Sequence, residues 1–374
     1  MISLAKLFTY PIKSMQGTQL SHALVQDTGL TWDRHFMVTL EDGTFVTARK
    51  YPEMLLFTPT LTQQGLYLQA PDHQHALITL DDFSVVNFPT EVWGNHFTAK
   101  VAPDAVNQWL SQYFPHPVQL RWIGEIPQRK IKKRPEHPLS FADGYPFLLV
   151  NEGSLHDLQN RCPAGVAIEQ FRANLVVSGA EPWQEDHWAV VRIGEVIFDV
   201  AKPCSRCILT TINSRNARKH PNGEPMRTLI QFREAADGSG DIDFGLNLIA
   251  RHSGIIRVGD DLSVLQTKPP RLYNKKSVQE TPHVTNRLEP VEKAIEIEFA
   301  GKRFTGNNQQ ILLEQLEQQG HSIPYSCRMG SCGSCRLTKL SGSVKALNSR
   351  ALCESTLLSC CCVPEEGLLK LELN

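Results

Sequence analysis

The chain is predicted to be mostly β with α+β character. It divides into a β-rich part (1–122), a mixed part (123–267), a linker (268–291) and a small C-terminal module (292–374). Three observations carry this reading. Short, turn-bounded apolar runs dominate the first 120 residues and fit a β-barrel or sandwich. A polar, proline-bearing stretch without periodicity, from Lys268-Pro-Pro-Arg271 to Glu289-Pro290, interrupts the pattern. Seven of the ten cysteines then crowd into the last 48 residues. A length of 374 residues is enough for two or three domains.

In chain order, the strand candidates of the first part are Phe36–Leu40, Phe45–Thr47, Leu66–Leu68 and Ala76–Leu80, with Asp42-Gly43 as a hairpin signal between the first two. Pro103 to Phe114 has Val106, Trp109, Leu110 and Phe114 at helical spacing. The basic run Gln128-Arg-Lys-Ile-Lys-Lys-Arg134 is expected to be a solvated loop, or else a landing site for an acidic donor or a bound anion. The second part mixes short strands with a helix near Glu152–Asn160. In the last module, Ile295–Phe299 alternates like a strand, Gly301 turns it, and Lys302–Thr305 returns. Gln309 to Gln319 follows as a helix with Ile311, Leu312, Leu313 and Leu316 on its apolar side and Gly320 as its stop signal.

Several classes of function are excluded at this level. A formal net charge of −1 gives no electrostatic basis for binding nucleic acid non-specifically. No apolar run approaches the length of a membrane span, and Lys6 comes too early for a secretory leader. The clustering of cysteines indicates metal chemistry in a reducing cytoplasm rather than a disulfide framework. Asp237-Gly-Ser-Gly-Asp241-Ile-Asp243 lacks the glycine and glutamate of a calcium loop and reads as a polar hairpin. His73-Gln-His75 reads as a surface loop.

Cys327-Arg-Met-Gly-Ser-Cys332-Gly-Ser-Cys335 has the spacing C-x4-C-x2-C, which is the plant-type [2Fe–2S] pattern short of a distant fourth thiolate. Gly330 and Gly333 let the backbone pass close to a cluster, and small Ser331 and Ser334 leave amides free to face its sulfurs. Zinc would usually ask for two short C-x2-C hooks, and only one is present here. The fourth ligand must come from Cys353, Cys360, Cys361 or Cys362. A second anomaly is Lys202-Pro-Cys204-Ser-Arg-Cys207-Ile-Leu-Thr-Thr211, where a proline-containing turn is expected to lead into an apolar strand. The lone C-x2-C has no second half for a zinc site and no βαβ context for a thioredoxin-like pair. Lys202 and Arg206 would favour a thiolate able to bind a soft metal.

These stretches carry two resemblances. The last module, with Leu357-Leu-Ser-Cys360 as its closing segment, looks like a β-grasp ferredoxin domain. That resemblance selects Cys360 as the fourth ligand beside Cys327, Cys332 and Cys335, with Cys362 as the alternative. Tyr10-Pro-Ile-Lys-Ser14, Thr47-Ala-Arg49, Phe171-Arg-Ala-Asn174 and the Lys202–Thr211 segment resemble the MOSC family, in which a MOSC β-barrel domain follows an N-terminal β-barrel. In that family the cysteine opening the Cys-Ile-Leu-Thr-Thr segment binds molybdenum, which maps to Cys207. The pterin and phosphate contacts map to Lys13, Ser14, Arg34, Arg172 and Asn174. The match at Asp143–Pro146 is looser, since Gly144 and Tyr145 replace a small polar pair.

The resemblance implies a reductase of N-hydroxylated compounds. Single electrons at roughly −400 mV from a plant-type cluster would accumulate at a molybdenum cofactor and cleave an N–O bond. With no nicotinamide fingerprint in the chain, the electrons would come from a flavoprotein partner oxidising NADPH. Two rivals are a flavin-linked electron carrier, for which Arg271-Leu-Tyr-Asn274 is a faint flavin motif, and a sulfur carrier with a persulfide on Cys207.

Overall fold

The computed structural model describes residues 1–162, 164–274, 293–325, 330, 333–347, 351–353 and 355–373. Cys327, Cys332 and most of the expected linker lie outside the described residues. The chain forms two compact units. One holds Met1–Cys204, Leu209–Pro225 and Phe244–Arg271; the other holds Ser205–Ile208, Met226–Asp243 and Leu272–Asn374.

In the first unit, strand Phe36–Leu40 pairs with Val118–Trp122, and Asn95–Val101 and Phe88–Val92 extend that sheet. Thr58–Leu61, Gly65–Gln69 and His75–Thr79 form a second, antiparallel sheet. Phe36, Val38, Phe57, Leu66, Leu68, Ile78, Leu120 and Trp122 point into the core of this part. The hairpin at Asp42-Gly43 is present: the Leu40 amide donates to Thr44 O at 2.8 Å. The strand expected at Phe45–Thr47 is reduced to one bridge, Thr39 to Phe45. The Thr47 carbonyl instead accepts the amides of Lys50 and Tyr51, which turns the chain.

The rest of this unit is built on an eight-stranded sheet among the described residues. Its order is Thr18–Leu20, Ser3–Thr9, Leu175–Ser178, Phe147–Asn151, Asp243–Ala250, Val196–Ser205, Trp188–Ile193 and Leu262–Thr267. Its ends meet. The Leu4 amide donates to Asp260 O, and the amides of Gly259 and Leu262 donate to Leu4 O and Ile2 O, each at 2.8 Å. The sheet therefore closes as a barrel, filled by Leu4, Leu7, Leu149, Leu175, Phe198 and Leu248. Ser3–Thr9 thus lies beside residues beyond 170, across the boundary expected at 122/123.

Both helices of this unit lie where the spacing places them. Asp104–Ser111 buries Val106 and Leu110. It stops short of Phe114 because the Ser111 hydroxyl turns back to Asn107 O and accepts the Val118 amide. Glu152–Arg161 is capped by Asn151, whose side chain accepts the Gly153 amide at 3.0 Å.

In the second unit, Ala294–Phe299 pairs with Lys302–Asn307 through a turn with positive φ at Ala300 and Gly301, and runs parallel to Cys362–Leu373. Arg336–Ala346, Thr356–Leu358 and Leu352–Cys353 continue the sheet. Helix Leu312–Gln318 buries Leu312, Leu313 and Leu316. Parallel pairing with one helix across the sheet is the β-grasp arrangement expected. The thiol-bearing strand differs, however: it ends at Leu358, Ser359–Cys361 is a 3-10 turn, and Cys362 opens the next strand. Among the described residues no helix is long and apolar enough to cross a membrane.

Candidate functional site

Tyr10 to Met15 leaves the first barrel strand and runs beside Arg34–Phe36. The Arg34 amide donates to Tyr10 O at 2.8 Å, the Phe36 amide to Pro11 O at 3.0 Å and the Lys13 amide to Phe36 O at 2.8 Å. Ser14, Arg34 and Arg172 all have left-handed backbone, with φ of 71°, 51° and 55°. Left-handed backbone is uncommon at non-glycine residues and stores strain here. The Arg34 and Arg172 guanidiniums each stack on the Tyr10 ring at 4.3 Å. Arg34 pairs with Asp33 at 2.5 Å and donates to Arg172 O at 2.9 Å and Asn174 Oδ1 at 3.2 Å. Arg172 donates one N–H to Met15 O, while its Nη2 is buried with no partner among the described residues. Burial, reinforced by Arg34, lowers the Arg172 pKa to about 10. Burial also pushes the Tyr10 hydroxyl up to about 12, against the pull of Arg172 and Arg34.

Asn174 is committed to the fold. Its amide donates to Phe8 O and accepts from the Leu148 amide and Arg34, which ties the first strand, Phe147–Asn151 and Arg34 together. Lys13 is 7% exposed and donates to Phe141 O at 2.8 Å and to Asp143. Arg49 and the Trp93 indole bind the same carboxylate, at 3.3 Å and 3.0 Å. Partial desolvation pushes the solvent-exposed Asp143 carboxyl up, but Lys13 and Arg49 outweigh it and hold it well below the usual range. Burial brings Lys13 down to about 8 against the opposing effect of Asp143.

The basic run does not form a uniform solvated loop. Arg129 is 4% exposed and its guanidinium gathers the carbonyls of Ser140, Ala142 and Asp143. Lys130, Lys132, Lys133 and Arg134 are exposed. Trp93 was beyond the sequence reading, and Arg129, Tyr10, Arg49 and Asp143 entered it only inside longer stretches.

The expected turn-then-strand at Cys204–Thr211 is reversed. Lys202, Pro203 and Cys204 lie in the end of strand Val196–Ser205, and Ile208–Thr211 is a 3-10 turn. Both thiols are half-buried. Cys207 falls in the second unit, where the neighbouring Arg206 amide donates to Ile242 O at 2.7 Å. Within that unit Cys335 and Cys360 hydrogen-bond through their side chains, and the backbone of Gly330 also bonds to Cys360. The Ser359 amide and hydroxyl both reach Cys335 O at 3.0 Å. Cys362 instead turns its thiol to Ala351 O.

Comparison with known proteins gives these sites a family. Residues 1–117 match the MOSC N-terminal beta barrel domain, 136–263 the MOSC domain, and 295–365 the 2Fe-2S iron-sulfur cluster binding domain. The chain is 30% identical over 275 residues to mitochondrial amidoxime-reducing component 1 of Xenopus laevis, covering 68% of this chain and 80% of that protein. The chain belongs to the MOSC family. The human protein of the same name is 29% identical to this MOSC chain over 290 residues, covering 70% and 83%. A molybdenum cofactor sulfurase of Oryza sativa subsp. japonica is 27% identical over 269 residues, covering 66% of the MOSC chain and 32% of the sulfurase.

The donors fit the groups such a chain would hold. Arg172 Nη2 is a buried cationic donor, unmatched among the described residues and close to Arg34, the chemistry an anionic pterin phosphate calls for. Cys335 and Cys360 are two thiols already in contact, as a thiolate-held cluster requires.

Proposed function

We propose that this MOSC chain is a molybdenum-cofactor-dependent reductase of N-hydroxylated compounds, driven by a flavoprotein through its own [2Fe–2S] cluster. The observation that carries the reading is the presence, in one chain, of a MOSC domain and a 2Fe-2S cluster binding domain, in a relative of amidoxime-reducing components. When bound, the cluster supplies single electrons and the molybdenum cofactor supplies two-electron cleavage of an N–O bond. The protein's own residues do the rest. Lys13, Ser14, Arg34 and Arg172 hold the anionic part of the cofactor, and Asn174 fixes Arg34 against the barrel. Cys207 provides the thiolate for the metal, while Cys327, Cys332, Cys335 and Cys360 hold the cluster. The crowding of cysteines into metal-binding patterns suits a reducing cytoplasm.

The test supplies 6-hydroxylaminopurine, a flavoprotein reductase and NADPH, and follows adenine. Cys207→Ser should abolish turnover even with an artificial reductant, and Cys204→Ser should keep at least part of it. If the protein replete in molybdenum and iron reduces no N-hydroxylated compound with either donor, the reading fails. The relation to molybdenum cofactor sulfurases keeps a second reading open, a persulfide on Cys207. Its signature is a stable mass increase of about 32 Da, one sulfur atom, with no molybdenum. The flavin-carrier rival draws less support from its motif. Tyr273 lies under Arg233 at 3.8 Å and its hydroxyl donates to Asp243, so it serves the protein's own packing.

A further inference from the structure

The 3-10 turn Ser359–Cys361 does more than end the strand before it. In an extended strand, successive side chains point to opposite faces. A 3-10 turn sets each side chain only about 120° from the last. The consecutive thiols of Cys360 and Cys361 therefore come together. Their sulfurs lie 3.7 Å apart, within hydrogen-bond reach, and the two residues are 2% and 6% exposed. The turn is pinned at both ends. The Ser359 amide and hydroxyl reach Cys335 O, Cys361 O accepts the Leu347 amide at 2.8 Å, and Cys362 pairs with Ala346 in the next strand. The third consecutive thiol, that of Cys362, is turned away to Ala351 O. Cys361 thus has its sulfur against that of an assigned cluster ligand without being assigned as one itself.

We propose that Cys361 tunes the reduction potential of the cluster by donating its S–H to the Cys360 sulfur. The inference rests on the assignment of Cys360 as a ligand. A thiolate bound to iron has no proton to give and can only accept. The contact then has one polarity, with Cys361 the donor and Cys360 the acceptor. Reduction adds negative charge to the cluster, and a donor at a ligand sulfur stabilises that form more than the oxidised one. Hydrogen bonds to the sulfurs are one of the levers that set such potentials. Burial strengthens the effect, because the local dielectric is low and water does not compete for the sulfur. No bond breaks at Cys361: one electron arrives from the flavoprotein, one leaves for the cofactor, and the S–H proton stays in place. A raised potential eases the first transfer and weakens the drive of the second, so Cys361 sets the balance between them.

Wild type, Cys361→Ala, Cys361→Val and Cys361→Ser are titrated anaerobically with dithionite, with iron content measured and the cluster's visible bands and EPR signal followed. Alanine and valine both remove the donor, and valine keeps the side-chain volume, so a shift common to the two is not the effect of a cavity. Both should lower the midpoint potential. At the wild-type midpoint their ratio of reduced to oxidised cluster should fall about fivefold, the equivalent of one hydrogen bond of about 1 kcal/mol. Serine keeps a donor and should recover part of the shift. Cys362→Ser is the control and should leave the midpoint in place, since that thiol faces Ala351 O. Alanine and valine variants with the wild-type midpoint overturn the proposal. A shift that serine shares in full, or that Cys362→Ser reproduces, traces the effect to packing and also overturns it. Loss of iron from all three Cys361 variants makes the residue a ligand or a folding determinant, with the same result. The titration uses no substrate, so it stands even if no N-hydroxylated compound is reduced. A wild type that holds no [2Fe–2S] cluster removes the cluster assignment, and this proposal with it.

Discussion

The Tyr10 ring lies 4.3 Å from both the Arg34 and the Arg172 guanidinium, and its π system offsets part of their mutual repulsion. Gly17 must stay a glycine for this, because a Cβ there would run into the Tyr10 ring. Arg172→Ala is expected to lower bound molybdenum while leaving bound iron unchanged; loss of both metals would indicate misfolding and remove the cofactor role. Glu185 offers a separate test. It is 1% exposed, accepts from Asn151 and Ser154, and burial raises its pKa from 4.5 to about 7 despite those bonds. Between those values the folded chain keeps a proton that the unfolded chain has lost, so stability falls as pH rises through the window. The shift corresponds to about 3 kcal/mol. His35 acts in the opposite sense. Burial lowers its pKa from 6.5 to about 4, so its contribution is lost as pH falls through that range. The difference between Glu185→Gln and wild type cancels the His35 effect. That difference should shift in favour of the variant by about 3 kcal/mol from pH 4.5 to 7.5, measured by urea unfolding; parallel curves would refute the burial argument. Lys13, Arg34 and Arg172 were legible because they sit in short motifs. Asp143 was not, because its partner is visible only once distant segments meet: Asp143 and Lys13 are 130 positions apart.

Short elements with their own punctuation were the legible ones. Helix Glu152–Arg161 begins at a capping Asn151, and the strand pair Ala294–Phe299 and Lys302–Asn307 turns at Gly301. Segments whose state is set by neighbours were misread. Pro203 stands in a strand, and Ile208–Thr211 curls into a 3-10 turn in spite of its β-branched residues. The segment Ser140–Asp143 shows how a neighbour imposes order: it is held by the fork of Arg129, which satisfies the carbonyls of Ser140, Ala142 and Asp143 together. Arg129→Ala leaves those carbonyls without their donor and should cost on the order of 3 kcal/mol, read from thermal or urea unfolding. It should also lower molybdenum content, because Asp143 no longer holds Lys13 in place. Lysine should rescue little, since a single ammonium cannot reproduce the planar fork. Full rescue by lysine would reduce Arg129 to a charge.

At the scale of the whole molecule, the first strand closes a barrel in which every member but Thr18–Leu20 and itself lies beyond residue 140, so no local pattern could announce it. The C-terminal module was legible in its strand pair and its helix, whose apolar residues and glycine punctuation are local, but not in its thiol-bearing segment. The division into two compact units has a consequence for the two metals. The cluster ligands lie in one unit. The pterin–phosphate contacts Lys13, Ser14, Arg34 and Arg172 lie in the other. Cys207, proposed for molybdenum, falls in the cluster ligands' unit, so the division separates the cluster only from the cofactor's anionic contacts. Cys335→Ser removes a thiol that contacts Cys360 and lies 2% exposed within the core of its module. The variant should lose iron and visible colour but keep its molybdenum. Turnover driven by the flavoprotein and NADPH should stop, while a chemical reductant acting on molybdenum directly should still support some. Cys360→Ser should behave in the same way and Cys362→Ser should retain the cluster, since its thiol turns to Ala351 O rather than to Cys335. A Cys362→Ser protein without iron beside a normal Cys360→Ser protein would exchange the two ligands. Flavoprotein-driven turnover that survives in Cys335→Ser would mean that electrons reach the substrate site without the cluster, and the internal relay would have to be given up.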